Sequence, residues 1–434
     1  MGKISSPVAA LRAVPARAGL ALPPHDKGFG LGQGFYADPQ VFAGEMERVF
    51  APAWMFAGHA CEILKAGDWF THEIGAESIV AVRGADRKIR AFHNVCRHRG
   101  SRICLGASGQ TQAFVCPYHA WAYDLNGRLL RDTTSDHGMA PGELSLRPVA
   151  LREVGGLIFI NLSAAVEGKG VDGRIKSGHD EEEKEWQAAE AVLGRALRPQ
   201  GLAQAKIAAR ADYTVNANWK LVWENNRECM HCPTVHKEYI QANYDIYVGD
   251  KSREAEIAAR TRECAREWAK KGLEAPSLKS DMTGAWYRAN RTPLRPGWVS
   301  ETLDGKQTAP LMGQYPDAEV GTLRATMFPG FWMHGSCDHA VTTRVSPLGP
   351  AQTRVSVYWL VDGKAEEGRD YDLKALMPYW QRTSEQDWAL VENVQKGVLS
   401  SAYRPGPLSK SKEYNVAQFI DWYLHRMGAE EKKS

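Results

Sequence analysis

An α+β protein is predicted, with an antiparallel β domain first and then a domain that mixes long helices with strands. Three observations predict it. Short β-rich runs separated by turn residues crowd the stretch from about residue 48 to about residue 165. From about residue 204 onward, helical periodicity alternates with strands such as TRVSVYWLV, Thr353 to Val361. Between them lies a polar stretch, GKGVDGRIKSGHDEEEKE, with glycines at 168, 170 and 173 and then four acids among five residues, which reads as a linker leading into a solvated helix. The chain therefore divides into an arm and helix (1–47), a β domain (48–165), a polar linker or helical insertion (166–203) and a larger second domain (204–434).

The 434 residues suffice for two or three domains with a sizeable core. Lys and Arg number 54 against 51 Asp and Glu, a net charge of +3 without a basic block, so nucleic acid is not a natural partner. No run approaches the roughly 18 to 20 uninterrupted apolar residues of a membrane span. Eight cysteines, at 61, 96, 104, 116, 229, 232, 264 and 337, are too few for a disulfide scaffold and follow no signal peptide, which predicts a soluble protein of the reducing cytoplasm.

The start, MGKISS, fits the loose N-myristoylation pattern through Gly2 and Ser6, and its Ala/Arg-rich continuation is faintly like a transit peptide, but a disordered start is the preferred reading. GFGLGQG, Gly28 to Gly34, imitates a dinucleotide loop. Pro23-Pro24 stands where the preceding strand should be, so the run reads as a flexible arm.

Asp38-Pro39 opens a helix, and Phe42, Met46, Val49 and Phe50 recur at helical spacing up to Ala51-Pro52. ESIVAVRG and KIRAFHNV follow as strands around a Gly-Ala-Asp turn. Asn126-Gly127 closes a hairpin between AWAYDL and RLL, and GGLIFINL is a buried strand.

On the loops of this β domain sit Cys96-x-His98 and Cys116-x2-His119. Two thiolates and two imidazoles suit a tetrahedral zinc or a two-iron cluster. A structural zinc usually groups like ligands together, whereas here each half is mixed, as in a cluster with both thiolates on one iron and both imidazoles on the other. Gly100, Gly106, Gly109 and Pro117 fit loops wrapped closely round an inorganic core.

A second constellation is NWKLVWENNRECMHCPTVH, Asn218 to His236. His231 and His236 would stand about 140° apart on a continuous helix; Pro233 is expected to break it between them. Glu228 precedes His231 by three residues and shares its face if the helix reaches that far. A histidine pair needs a carboxylate to complete the triad of an oxygen-activating ferrous site. In TSEQDWALVENVQKG, Asp387, Leu390, Val391 and Val394 share a helical face expected to point inward, while Glu385 points away. A carboxylate buried there must be paired or bind metal, which makes Asp387 the third candidate ligand. Cys229 and Cys232 form a CxxC without a thioredoxin-like surround, and read as two small side chains packing beside this site.

CRHRG and CPYHAW at this spacing resemble the Rieske 2Fe-2S domain. Together with E-N-x-x-E-C-x-H-C-x3-H and a late helical Asp, nearly the whole chain after the arm resembles the Rieske non-haem iron oxygenases. The resemblance implies a Rieske β domain joined to a helix-grip (START-like) catalytic domain with an antiparallel sheet. It implies a cluster on Cys96, His98, Cys116 and His119, and one mononuclear Fe(II) on His231, His236 and Asp387. Glu228 matches the acidic bridge that links a cluster histidine, here His119, to an iron-bound histidine, here His231. A glutamate there, with WENNRECMHC, ETLDGKQ, SSAYRPGPLSK and FIDWYLHRM, resembles the quaternary-amine branch: the glycine betaine, stachydrine and carnitine oxygenases.

For that branch the resemblance implies O2-dependent hydroxylation of an N-methyl group, after which the carbinolamine loses formaldehyde. Electrons come from NAD(P)H through a separate flavin or iron-sulfur reductase, and a homotrimer passes them between subunits. A quaternary ammonium offers no N–H to hydrogen-bond, so aromatic faces must hold it. Among 14 tryptophans, Trp332 and then Phe331 in MFPGFWMHG are the candidate walls. Choline or carnitine oxidation and aromatic-ring hydroxylation are alternatives for the same iron, and a Rieske electron-transfer protein without catalytic iron is the alternative of another class.

Overall fold

The computed structural model describes residues 20–134, 137–163, 165–166, 175–176, 180–244, 251–273 and 286–428. Gly2 and Ser6, and most of the glycine-rich linker, lie outside them. Asp38 caps the first long helix as expected, accepting from Gln40 N at 2.7 Å with Pro39 at the first helical position. That helix, Pro39–Glu45, runs into a π-helical turn, Met46–Phe50.

The glycine run before it corrects the expectation of a flexible arm. Phe29 bridges to Pro407, Gly30 N donates to Gly406 O at 2.9 Å, and Tyr403 Oη donates to the carbonyl of fully buried Leu31. The cause is apolar. Leu31 and, in the short helix Gln33–Ala37, Phe35 and Tyr36 are core residues, and burying them holds the glycines down.

The first domain is a seven-stranded antiparallel sheet. Its strands are β1 (Met55–His59), β2 (Asp68–Ile74), β3 (Glu77–Arg83), β4 (Ile89–His93), β5 (Ser108–Gln110), β9 (Pro148–Val154) and β10 (Leu157–Asn161), ordered β1-β10-β9-β4-β3-β2-β5. A three-stranded sheet of β6 (Phe114–Val115), β7 (Ala122–Tyr123) and β8 (Leu129–Arg131) supplies the remainder. Val80, Val82, Phe92, Phe114, Trp121, Tyr123 and Leu146 form one apolar cluster beneath the two Cys-His loops.

After the short antiparallel strand pair β11 (Ala165–Val166) and β12 (Ile175–Lys176) comes the helix Asp180–Leu197. It is not the solvated helix its acidic start suggested. Trp186, Ala189, Leu193 and Leu197 are fully buried at the spacing of one helical face, and Trp186 packs against Phe159 of the first sheet.

The second domain is a six-stranded antiparallel sheet of β13 (Ala205–Val215), β14 (Tyr287–Thr292), β15 (Thr322–Met327), β16 (Phe331–Gly335), β17 (Ala340–Gly349) and β18 (Gln352–Asp362), ordered β13-β18-β17-β16-β15-β14. Trp219–Asn226, Pro378–Val398 and Tyr414–Met427 are its principal helices, and a core from Phe35 and Ile158 to Trp219, Trp359 and Phe419 runs continuously through both domains. Buried Glu45 ties the N-terminal helix to this assembly. It accepts from Trp219 Nε1 at 2.8 Å, from Tyr423 Oη at 2.7 Å and from the Lys220 ammonium. A buried pair of this kind is stable only with its remaining hydrogen bonds satisfied, as here. Among the described residues no helix is long and apolar enough to cross a membrane.

Candidate metal centres and active site

The two Cys-His segments fold into matching loops. Cys96 N donates to Ser101 O at 2.8 Å and Gly100 N to Cys96 O at 3.0 Å; Cys116 N donates to Trp121 O at 2.8 Å and Ala120 N to Cys116 O at 3.0 Å. Each closes on a left-handed residue four positions after its cysteine, Gly100 at φ +75° and Ala120 at φ +56°. The loops meet so that the two thiols touch. The rings of His98 and His119 lie 4.7 Å apart.

Trp121 stacks flat on His98 at 4.9 Å and Tyr118 covers His119 at 3.7 Å, which fixes both imidazoles. Their Nδ1 atoms are buried and have no hydrogen-bond partner. An orphaned acceptor is costly unless something binds it. Two buried thiols and two orphaned imidazole nitrogens are the donor set that a Rieske cluster requires, so the residues present fit the group.

The second constellation forms in the larger domain. Asn218 caps Trp219–Asn226 through Lys220 N, and the helix stops there; Glu228 to His231 occupy a turn, and a new helical turn runs Cys232–Val235. The break therefore precedes Glu228, and Pro233 opens the second turn where its missing N–H is harmless, correcting the expected break between the histidines.

The two rings, 5.0 Å apart, converge on one carboxylate. His231 Nε2 is 3.3 Å and His236 Nε2 2.9 Å from Asp387 Oδ1. Both Nδ1 atoms are taken, that of His231 by Glu228 at 2.5 Å and that of His236 by the Gln386 amide oxygen at 2.7 Å. Held this way, each ring presents Nε2 to a common point, the arrangement typical of metal-binding histidines. Burial works against a charged His231, but Asp387 and Glu228 outweigh it and hold the imidazolium up to about 9. Burial likewise opposes ionised Asp387, yet the two histidines keep its carboxyl below the usual range. The donors thus attract positive charge, and two imidazoles with one carboxylate fit a ferrous centre with open positions.

Asp387 sits at the margin of its helix's buried face, not the middle, and Val394, expected on that face, is 47% exposed. Glu385 is exposed as expected. Asn225 and Gln386 are functional neighbours that sequence reasoning missed; Asn225 Nδ2 donates to Asp387 Oδ1 at 2.6 Å. Cys229 and Cys232 correct a further expectation, because they form a disulfide and are not two separate packing thiols. Three residues apart on a turn, with Cys232 N donating to Cys229 O, they are near enough to join.

A cavity of about 230 Å³ opens on these donors, lined among others by Tyr239, Arg324, Trp332 and Trp380. Trp332 is 7% exposed at its wall. Phe331 does not line it. One step along β16 it points to the other face of the sheet and packs on Phe56 and Phe159, which corrects its expected place beside the substrate.

Comparison with known families agrees with this geometry. The Rieske 2Fe-2S domain profile matches residues 53–141, and the ring hydroxylating alpha subunit (catalytic domain) profile matches residues 202–429. The chain is 41% identical over 408 residues to the glycine betaine monooxygenase oxygenase subunit of Chromohalobacter salexigens, covering 92% of this chain and 87% of that one. It is 37% identical over 424 residues to the protein of the same name from Pseudomonas aeruginosa, covering 95% and 93%. In fold it is similar to a quaternary ammonium Rieske monooxygenase whose structure bears on carnitine oxidation and inter-subunit electron transfer, with a TM-score of 0.68, 22% identity, and 93% and 96% of the two chains covered. A catalytic domain sets aside the electron-transfer-only alternative. With one Rieske cluster and one mononuclear iron as its cofactors, the chain belongs to the quaternary-amine branch of the Rieske non-haem iron oxygenases, as the reductase-dependent oxygenase component of a monooxygenase.

Proposed function

We propose that this chain hydroxylates an N-methyl group of a zwitterionic quaternary amine, a betaine of the glycine betaine or proline betaine type, with loss of formaldehyde. The observation that carries the proposal is the set of groups that shares one cavity. The His236 ring lies 6.4 Å from the Tyr239 ring, and the Arg324 guanidinium stands 5.8 Å from the same ring. Trp380 lies 6.0 Å from Tyr239, and Trp332 walls the same space. Metal donors, aromatic faces and a cation thus meet around one cavity. A betaine carries a methylated cation and a carboxylate, the two groups that such a lining would receive. Aromatic faces hold the cation, each by about 0.5 to 2 kcal/mol.

Arg324 Nη2 donates to Asn243 Oδ1 at 2.7 Å, while its Nε, though buried, has no hydrogen-bond partner. A substrate carboxylate would pair with this guanidinium at the cavity wall; choline or an unsubstituted aromatic ring would not. The names of the relatives point the same way.

In this reading Cys96, His98, Cys116 and His119 hold the cluster, and His231, His236 and Asp387 hold the iron. When bound, the iron supplies dioxygen activation and the cluster supplies electrons from the reductase. Glu228 orients His231 and receives His119 of a neighbouring subunit, which makes the assembly a ring-like homotrimer. Exposed apolar side chains support that contact: Leu105, Val115 and Tyr118 surround the cluster loops, and Met230 and Tyr414 stand by the iron site. The cytoplasm, where NAD(P)H and the reductase are available, is the proposed location.

Incubation with a reductase, NADH and a panel of quaternary amines tests the proposal. Formaldehyde is expected from betaines and not from choline. Oxidation of choline without formaldehyde from any betaine, or a diol from an arene, would overturn it.

A further inference from the structure

Cys232 stands among the metal donors as well as in a disulfide. Its Sγ and donor atoms of His231 and His236 all lie within 4.8 Å of one another, and it is 3.9 Å from His231 Nε2, the nitrogen turned toward Asp387. Cys232 is 4% exposed and lines the same cavity. A thiolate at that place would add a soft donor to the two imidazoles, a set that suits zinc. Zinc binds such donors more tightly than ferrous iron, and sulfur increases the preference. The sulfur would also occupy a position needed for oxygen.

We propose that the Cys229–Cys232 disulfide is a ligand guard, which ties up the Cys232 sulfur so that the site takes iron with open positions and not zinc. This rests on the assignment of His231, His236 and Asp387 as the iron ligands. Closing the guard removes two protons and two electrons from the thiols, which dioxygen accepts to give hydrogen peroxide. Opening it by a dithiol returns them, and the S–S bond passes to the dithiol. In the open state Cys232 gives up its proton as its sulfur bonds to the metal. A plain structural staple is the competing role, and the two differ in which cysteine matters. Cys229→Ser frees the Cys232 thiol beside the donors, whereas Cys232→Ser breaks the same staple without leaving sulfur among them.

The test strips the mononuclear site of the parent, both single variants and Cys229→Ser/Cys232→Ser, leaving the cluster intact. Each is reloaded anaerobically with equal Fe(II) and Zn(II), and metal is counted against acid-labile sulfide. Cobalt-loaded samples give a second readout, since a sulfur-to-cobalt charge-transfer band reports the bond directly. Cys229→Ser is expected to raise the zinc-to-iron ratio about tenfold or more, within the range by which neighbouring groups tune metal affinity, and to show the band. Cys232→Ser and the double variant are expected to keep the parent ratio without it. Equal ratios in all four proteins, or an equal rise in both single variants, would overturn the guard and leave the staple. A parent that takes up no third metal would remove the site assignment, and the guard with it.

Discussion

Glu228 lies 2.5 Å from His231 Nδ1, and the opposite nitrogen of that ring is 3.3 Å from Asp387. One imidazole is thus gripped from both sides, with the outer carboxylate deciding which nitrogen faces the metal. Glu228→Gln preserves the shape and removes the charge. Both metals should remain bound, while reoxidation of the reduced cluster by oxygen and substrate slows about 10- to 100-fold. Stopped-flow absorbance of the cluster checks this, and an unchanged rate would rule out a bridging role.

Asp387 collects His231, His236 and Asn225 at one oxygen. Asp387→Ala should leave the cluster's visible spectrum intact, lower iron from about three to about two per chain as the facial triad loses its carboxylate, and abolish turnover. Iron analysis with acid-labile sulfide decides it. Asn225→Ala should weaken iron retention without eliminating it.

Arg324 is assigned to the substrate carboxylate. Arg324→Gln should lower kcat/KM for a betaine about 10- to 100-fold, the size of a lost charged hydrogen bond of roughly 1.5 to 3 kcal/mol, and mainly through KM. Trp332→Ala should cost less, in line with one aromatic face. An unchanged KM for the betaine would refute the carboxylate role.

Glu224, in the helix that leads to Glu228, gives a pH signature. Burial pushes its carboxyl up to about 7 despite the Tyr36 hydroxyl, which donates to it at 2.9 Å, and the nearby Lys220 ammonium. A folded-state value above the ordinary 4.5 means that the native state binds the extra proton. Its contribution to stability is present below about 4.5 and is lost as pH rises through about 7. Glu224→Gln keeps an acceptor for Tyr36 and should flatten this dependence by on the order of 3 kcal/mol between those limits. Denaturant unfolding of parent and variant across the range measures it.

Sequence alone went furthest where rare residues stand at fixed spacing. Cys96-x-His98, Cys116-x2-His119 and His231-x4-His236 place metal-binding atoms locally, and turn chemistry such as Asp38-Pro39 and Asn126-Gly127 set element ends. What it could not show depends on distant segments meeting. Asn225 and Asp387 are 162 positions apart and Tyr36 and Glu224 are 188 apart, and no local pattern pairs them. Neighbours on one strand posed the opposite difficulty. Phe331 and Trp332 look equivalent until the sheet's two faces are known, and only Trp332 faces the cavity. The run from Gly28 to Gly34 lacks any strand or helix signal of its own, and only the distant segment around Gly406 that covers Leu31 holds it down.

Single turnover without the reductase tests the central claim most directly. The cluster is reduced chemically, the mononuclear site is held ferrous, and the protein is mixed with glycine betaine and oxygen. Hydroxylation takes two electrons, one from each centre, so formaldehyde should approach one per mononuclear iron as the cluster reoxidises. Cluster reoxidation with no formaldehyde from any betaine would contradict the account.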